Sequence, residues 1–375
     1  MAISGVIRSY DENALANRED LADIISSISP SETPLFTMLN RGPQAISTKH
    51  EWLEDGLRGM RDALHHAVSA GTVSGFRVLN GATRIPCTTN YPVMVRIDEE
   101  IILARARTTN FISLMTRGYA STASAAHASL AVVEILADIQ GEGSDARTAF
   151  AQTKTRPFNY TQTFTQTVFV SGTQNAVVMA GGASEKDYQI GQRYKELAIM
   201  VERSLISGIR NVNSTSTNFM SMGGLWYYIS TNKTNASSAA ISENNIMDDA
   251  KACWDAGGRP SVLLCNSTQM QHIIQLYATR VRTEPEAIFG GNSVSKILCP
   301  WTADGTLSLI LDPWVPQHEY YILDMSKLSL VPLRQFFEEP LAKAGDAEKS
   351  QIIGEYTLEV MNETAHARRY GLSVS

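Results

Sequence analysis

The chain has 375 residues, 43% of them hydrophobic and 19% charged, the balance of a folded protein with room for one large domain or a few smaller ones. Its formal net charge is −6, with Lys and Arg scattered and no basic stripe, which argues against a groove built to grip a nucleic-acid backbone but not against an acidic wall around packed DNA. Met1-Ala-Ile-Ser-Gly5 lacks a basic-then-apolar leader and no run of about 18 apolar residues occurs, so neither secretion nor a membrane span is expected.

The first 45 residues do not read as a core. Leu21, Ile24, Ile25 and Ile28 recur at i, i+3, i+4 and i+7, which predicts a short amphipathic helix with a narrow apolar stripe. Ser29-Pro-Ser-Glu-Thr-Pro-Leu-Phe36 then interrupts it, with Thr33 as N-cap and Pro34 at the first position of a turn over Leu35 to Leu39. Helices this short are marginal alone, so such an arm has to lie on its own body or on a neighbouring subunit.

Strand character follows in Ser47-Thr-Lys-His-Glu-Trp52. It returns between Phe76 and Arg107, where Val93, Val95 and Ile97 alternate with Met94, Arg96 and Asp98. Phe111 to Gln140, low in charge and rich in Ala and Ser, is expected to be helical, with Leu130, Val133, Leu136 and Ala137 toward a partner and Gly141-Glu-Gly143 as its stop. Tyr160 to Val178 alternates again on Phe164, Val168 and Val170. The strongest helix is predicted over Glu185 to Ser207, ended by Gly208. Ile190, Tyr194, Leu197, Val201 and Leu205 form its apolar face, and Glu185, Lys186, Arg193, Lys195 and Glu202 its wet side.

The remainder reads as an α/β lobe. Ser242 caps a helix with Ile246, Ala250, Cys253 and Trp254 inward and Gly257-Gly258 at its end. Val262-Leu-Leu-Cys265 is a buried strand. Asn266 or Ser267 then caps a helix with Met270, Ile273, Ile274 and Tyr277 on one face. Strands are expected at Leu307 to Leu311, Tyr320 to Leu323, Leu328 to Leu333 and Gln351 to Met361.

Catalytic chemistry has no positive signal, and no catalytic, cofactor-binding or metal-binding residue is assigned. No phosphate loop, dinucleotide fingerprint, zinc-protease pair or nucleophile elbow occurs. Asp62 would share a helix face with either His65 or His66, but two ligands do not close a metal site and no third is near, so the group reads as a solvated helix or loop. Glu99-Glu100 and Glu338-Glu339 read as solvated charge. Tyr227-Tyr228, Tyr320-Tyr321 and Phe336-Phe337 read as packing aromatics. Cys87, Cys253, Cys265 and Cys299 lack metal-site spacing and read as buried free thiols.

Four segments in this order resemble the tailed-bacteriophage major capsid protein family. They are Asp23-Ile-Ile-Ser-Ser-Ile-Ser-Pro-Ser-Glu-Thr-Pro-Leu-Phe36, Lys49-His-Glu-Trp-Leu-Glu-Asp-Gly-Leu57, Asn159-Tyr-Thr-Gln162 with Val170-Ser-Gly-Thr-Gln174, and Glu355-Tyr-Thr-Leu-Glu-Val-Met-Asn-Glu-Thr-Ala-His366. The resemblance implies the α+β fold of tailed-phage and herpesvirus shells. Its parts would be an N-terminal arm at 1–45 and an extended β-loop region at 46–160 with an insert at about 76–157. A peripheral domain at 161–224 on a spine helix at 185–207, an axial domain at 225–330, and a return to the peripheral domain at 331–375 complete it. It further implies a non-enzymatic subunit forming pentamers and hexamers of an icosahedral shell around double-stranded DNA touched non-specifically. A portal, a separate scaffolding protein and assembly in the host bacterial cytoplasm go with that role, and no cofactor or membrane does. Inter-subunit contacts are expected from Leu21, Ile24, Ile28, Pro30, Pro34, Phe36 and Trp52. A nanocompartment shell and a cytosolic hydrolase are the rival readings.

Overall fold

The computed structural model describes residues 32–56, 59–71, 74–82, 85–146, 154–176, 185–212, 219–276, 282–283, 295–302, 304–343 and 345–374. The helix expected around Leu21 to Ile28, and Tyr277, lie outside the described residues. The chain divides into two compact units, one drawn from Met1–Trp52 and Arg156–Ser375 and the other from Leu53–Thr155.

The long helix Glu185–Ser207 organises the first unit, with the bounds its periodicity predicts. Glu185 and Asp187 place negative charge in its first turn, where the helix dipole favours it. At Gly208 a Cβ would collide with the carbonyls of Ser204 and Met222, so the stop requires glycine. Leu197, Val201, Leu205 and Ile206 are fully buried against a four-stranded sheet in the order Asn40–Arg41, Leu328–Pro340, Ala347–Val360, Gln162–Ser171. Ala347–Val360 pairs antiparallel on both sides, unbroken from Gln162↔Tyr356 to Ser171↔Ala347, but with bulges opposite Pro332 to Phe337. Of these, Leu328–Pro340 runs beyond its predicted end at Leu333, and Ala347–Val360 begins before its predicted start at Gln351.

A mixed seven-stranded sheet shares this core. Val262–Cys265 lies parallel to Thr306–Leu311 and antiparallel to Tyr320–Leu323. Strand alternation sends Val262, Leu264, Tyr321 and Leu323 into the core of the long helix. Leu263, Cys265, Tyr320 and Ile322 face the helices Glu243–Asp255 and Ser267–Leu276 on the other side. Ser242 caps the first of these by accepting the Asn245 N–H at 3.3 Å, and Gly257 makes its left-handed exit at φ +87°. Ser242→Ala is expected to cost about 1 kcal/mol in thermal unfolding, with a small drop in helicity. Trp254 was expected inward but is 51% exposed, one step beyond the buried arc of Ile246, Ala250 and Cys253, and leans on Trp301. Ile274 is likewise exposed, while its neighbour Ile273 is buried.

The Leu53–Thr155 unit is a six-stranded antiparallel sheet in the order Arg61–Ala63, Val132–Asp138, Val93–Ile97, Glu100–Arg107, Phe111–Thr116, Gly75–Arg77. Val93, Val95, Ile97, Ile102, Ile112, Val133 and Ile135 fill its core. The helix expected at Phe111 to Gln140 is therefore wrong, because the segment makes two strands joined by a loop. β-Branched Ile112, Val132, Val133 and Ile135 suit a pleated surface. The Ala- and Ser-rich middle cannot close a helical ladder, since its backbone is taken elsewhere: the N–H groups of Gly118 and Ala125 donate to Glu100, and the Ala125 carbonyl accepts from Arg117. Of the four residues expected to face a partner, Val133 is fully buried and Leu130 is 66% exposed.

Candidate functional site

Leu21, Ile24, Ile28 and Pro30 lie outside the described residues. Pro34 opens the helix Pro34–Met38 as predicted and is buried with Leu35. Phe36 is half-buried, edge-on to Tyr356 at 6.1 Å and beneath the Arg41 guanidinium at 4.3 Å. Trp52 is buried beside Tyr228 at 6.0 Å. All three are packed by their own chain.

The residues that hold this segment escaped the sequence reading. Glu202, expected on the wet side of the long helix, is fully buried. Its two carboxylate oxygens accept the Leu35 and Phe36 N–H groups at 2.7 and 2.6 Å. The signal lay in Ile206, one turn further along and fully buried, which widens the apolar arc to include position 202. Burial, then repulsion from buried Asp312, push the Glu202 carboxyl up to about 9, and burial raises Asp312 as well. Trp314 donates from its indole to the Glu32 carbonyl at 3.0 Å. Beyond the helix the backbone is stitched along Leu328–Pro340: Asn40–Arg41 pairs parallel to it, and the Gly42 and Ala45 N–H groups donate to Leu330 and Pro332.

Asn159 anchors the chain where it returns at Phe158–Tyr160. Its amide donates to the Gly223 and Leu358 carbonyls at 3.0 and 2.7 Å, and its oxygen accepts the Gly223 N–H at 2.9 Å. Gln162 accepts from the Met222 N–H at 3.2 Å, so two residues of one recognised motif fix the same turn. Lys49–Glu51 pairs antiparallel to Phe158–Tyr160, and the Trp52 N–H donates to Pro157 at 3.1 Å. In the closing motif, the Tyr356 hydroxyl accepts the Phe336 N–H, and Glu363 accepts those of Ser230 and Thr231. His366 Nδ1 accepts the Asp324 N–H at 3.2 Å, and burial holds this imidazole down at about 4, so it is neutral.

The paired tyrosines of the mixed sheet are core residues, as expected, but each carries a buried charge pair. Tyr320 and Arg369 are register partners, as are Tyr321 and Arg368. The Tyr320 hydroxyl donates to Asp249 at 2.6 Å, and Arg369 clamps that carboxylate with two bonds of 2.8 Å. On the opposite face Tyr321 donates to Glu319 at 2.8 Å, which Arg368 clamps at 3.0 and 2.6 Å.

In the Leu53–Thr155 unit, Glu99 is exposed as expected of solvated charge, but Glu100 is buried. A two-residue turn with Asp98 at φ +51° sends the neighbours to opposite faces. Glu100 accepts from Arg117 at 2.9 and 2.5 Å, from the Gly118 and Ala125 N–H groups at 3.0 Å each, and contacts His127 at 2.9 Å. Burial pushes this carboxyl up, but the donors outweigh it and hold it at about 2. Asp62, assigned to a helix face with the histidines, lies instead on the strand Arg61–Ala63 and accepts from Ala63 and Asn80. His65 and His66 touch each other at 2.9 Å on the surface.

Among the described residues no three His, Cys, Asp or Glu gather at metal-binding distance, and no helix is long and apolar enough to cross a membrane. All four cysteines are free and buried, and burial pushes Cys253 and Cys265 up to about 12, far from a nucleophilic thiolate. What the chain builds at its cores are clamps on backbone segments.

That architecture is matched across its full length by the capsid of Myoviridae phage XM1, at a TM-score of 0.52 and 8% identity, covering 98% of this chain and 100% of that one. The fold is therefore that of a phage capsid subunit. Over residues 8–373 the chain matches the SU10 major capsid protein family, and it belongs to that family. It is thus a major capsid protein, a subunit of the virion shell. Mycobacterium phage Bobi is similar at a TM-score of 0.49 and 8% identity over 95% of this chain and 96% of its own. The SrpI encapsulin of Synechococcus elongatus PCC 7942 is similar at 0.45 and 14% over 59% and 77%. No curated protein matches the chain by sequence.

Proposed function

We propose that this capsid protein assembles as pentamers and hexamers into an icosahedral shell around double-stranded DNA, with its N-terminal segment as an interlock between subunits. Its role is structural, not catalytic. The observation that carries the interlock is the anchoring of residues 32–45: Glu202, Trp314 and the strand Leu328–Pro340 fix the root of the arm by backbone bonds. A fixed root gives the residues before it a defined starting point, and Leu21, Ile24, Ile28 and Pro30 are the contacts it directs onto a neighbour. In this assignment Glu185–Ser207 is the spine of a peripheral domain at 161–224 and 331–375, and 225–330 is the axial domain. The Leu53–Thr155 unit, which includes most of the insert at 76–157, reinforces the shell. Many modest interfaces of this kind sum to a stable particle. Assembly takes place in the host bacterial cytoplasm with a portal and a separate scaffolding protein, and contact with the packaged DNA is non-specific.

Removing residues 1–40 would also strip Leu35 and Leu39 from the core, so the sharper test removes residues 1–31 only. Purified subunits of that variant are expected to keep the wild-type circular dichroism and melting temperature yet to form no shells in negative-stain images. Shells of normal size and yield from the truncated chain would overturn the interlock.

A further inference from the structure

The root of the arm is held by a carboxylate that has no cation to balance it among the described residues. Glu202 and Asp312 are both fully buried, and among the described residues neither is ion-paired with a Lys or Arg. The turn that carries Asp312 meets the arm root beside the long helix, where Trp314 reaches the Glu32 carbonyl and lies under Arg203, the neighbour of Glu202, and repulsion from Asp312 helps to raise the Glu202 carboxyl. Asp312 Oδ1 accepts the Trp314 N–H at 2.8 Å, whereas Asp312 Oδ2 is buried with no donor among the described residues. Glu202 has both oxygens facing the backbone N–H groups of Leu35 and Phe36. A buried acceptor without a donor costs about 1–3 kcal/mol, and two buried anions in contact cost more. One proton between Glu202 and Asp312 removes both penalties at once.

We propose that Glu202 and Asp312 share a proton and together form a latch that holds the arm root closed, so that the hold on residues 32–40 weakens as pH rises. This rests on the reading of the N-terminal segment as an interlock and gives that interlock a control. The remaining charged or titratable groups near the pair do not substitute for the proton. Cys265, on Val262–Cys265, feels Asp312 but is a neutral thiol, and Arg203 stacks on the Trp314 ring at 5.9 Å. When the root lifts, water reaches both carboxyl groups and they ionise near their ordinary values. The closed state binds a proton that the open state releases, so closure is strongest at acid pH and is lost as pH climbs through the neutral range toward the raised value.

Hydrogen exchange of the intact chain reads this directly, using the peptide spanning residues 32–40 against a reference peptide from Ala347–Val360. The ratio of their protection is expected to fall by up to about tenfold per pH unit between about pH 5 and 9 and then to level off. Asp312→Asn replaces the proton with an amide donor, and Glu202→Gln removes the titrating group, so either variant is expected to flatten the profile to less than about threefold across that range. Glu202→Gln also gives up one of two acceptors and is expected to exchange faster at every pH. The wild-type profile decides even where a variant fails to fold: a flat ratio from pH 5 to 9 overturns the latch, as does an Asp312→Asn profile as steep as the wild type. Sedimentation of particles from the same samples reads the interlock separately, so a flat exchange profile beside normal assembly overturns the latch alone.

Discussion

Replacing Arg369 by methionine is expected to destabilise the subunit by about 3–5 kcal/mol, read as a fall in the urea midpoint of unassembled chains at unchanged slope. Arg369 supplies both bonds that balance Asp249, at 2.8 Å each, inside the core under the helix Glu243–Asp255. Without the guanidinium, Asp249 keeps only the Tyr320 hydroxyl at 2.6 Å among the described residues and remains a buried, uncompensated charge. The loss is the cost of stranding that charge, not the worth of the pair. Asp249→Leu added to Arg369→Met is therefore expected to recover all but about 1 kcal/mol, the residue of the unpartnered tyrosine hydroxyl. If the double variant were as unstable as the single one, the loss would lie in packing and the electrostatic account would fail.

Glu100→Ala is expected to be as costly, about 3–5 kcal/mol, but within the Leu53–Thr155 unit. Glu100 is the common acceptor for Arg117 and for the N–H groups of Gly118 and Ala125, so its removal strands the two backbone donors, leaves Arg117 only its bonds to the Ser69, Gly71 and Ala125 carbonyls among the described residues, and frees the loop that a helix was expected to occupy. Glu99→Ala, one residue away on the surface, is the control and is expected to change stability by less than about 0.5 kcal/mol. The network also sets an acid limit. Its carboxyl ionises more readily in the folded unit than in the unfolded chain, so its contribution is complete above about 4.5 and is lost as pH falls toward about 2. Calorimetry of the wild type from pH 5 to 2.5 is expected to show a progressive loss that Glu100→Gln, already weakened, shows far less.

Periodicity made the long helix legible to the residue. Ile190, Tyr194, Leu197, Val201 and Leu205 step by one turn each, and no strand can bury that spacing. The strands Val262–Cys265 and Tyr320–Leu323 were equally plain, from length and hydrophobicity, whereas the strand expected from Tyr160 to Val178 gives way after Ser171 to a helix at Gly172–Ala176. Phe111 to Gln140 failed because its alanines and serines favour a helix only when no better partner claims the backbone, and Glu100 claims it from outside the segment while Arg117 claims it from within. Glu202 and Glu100 failed for a related reason. A carboxylate looks solvated in a sequence, and its burial is decided by donors far away along the chain, the N–H groups of Leu35 and Phe36 or the guanidinium of Arg117. Trp254 failed by a single helical step, which is the difference between the inner arc and its rim. The motif residues Asn159 and Gln162 were singled out by resemblance, and only the structure gives them a task, the grip on Met222 and Gly223.

The strand Ala347–Val360 is flanked on both sides, by Gln162–Ser171 and by Leu328–Pro340. A ribosome delivers that strand well after the helix that packs on it. Until residue 360 has emerged, Gln162–Ser171 lacks its partner, Leu328–Pro340 has only the two-residue Asn40–Arg41 beside it, and the floor beneath Leu197 and Val201 is incomplete. A nascent chain therefore cannot present a finished subunit surface, however many copies are being made side by side on one messenger. The order in which the chain is written places completion of this sheet near the end of synthesis.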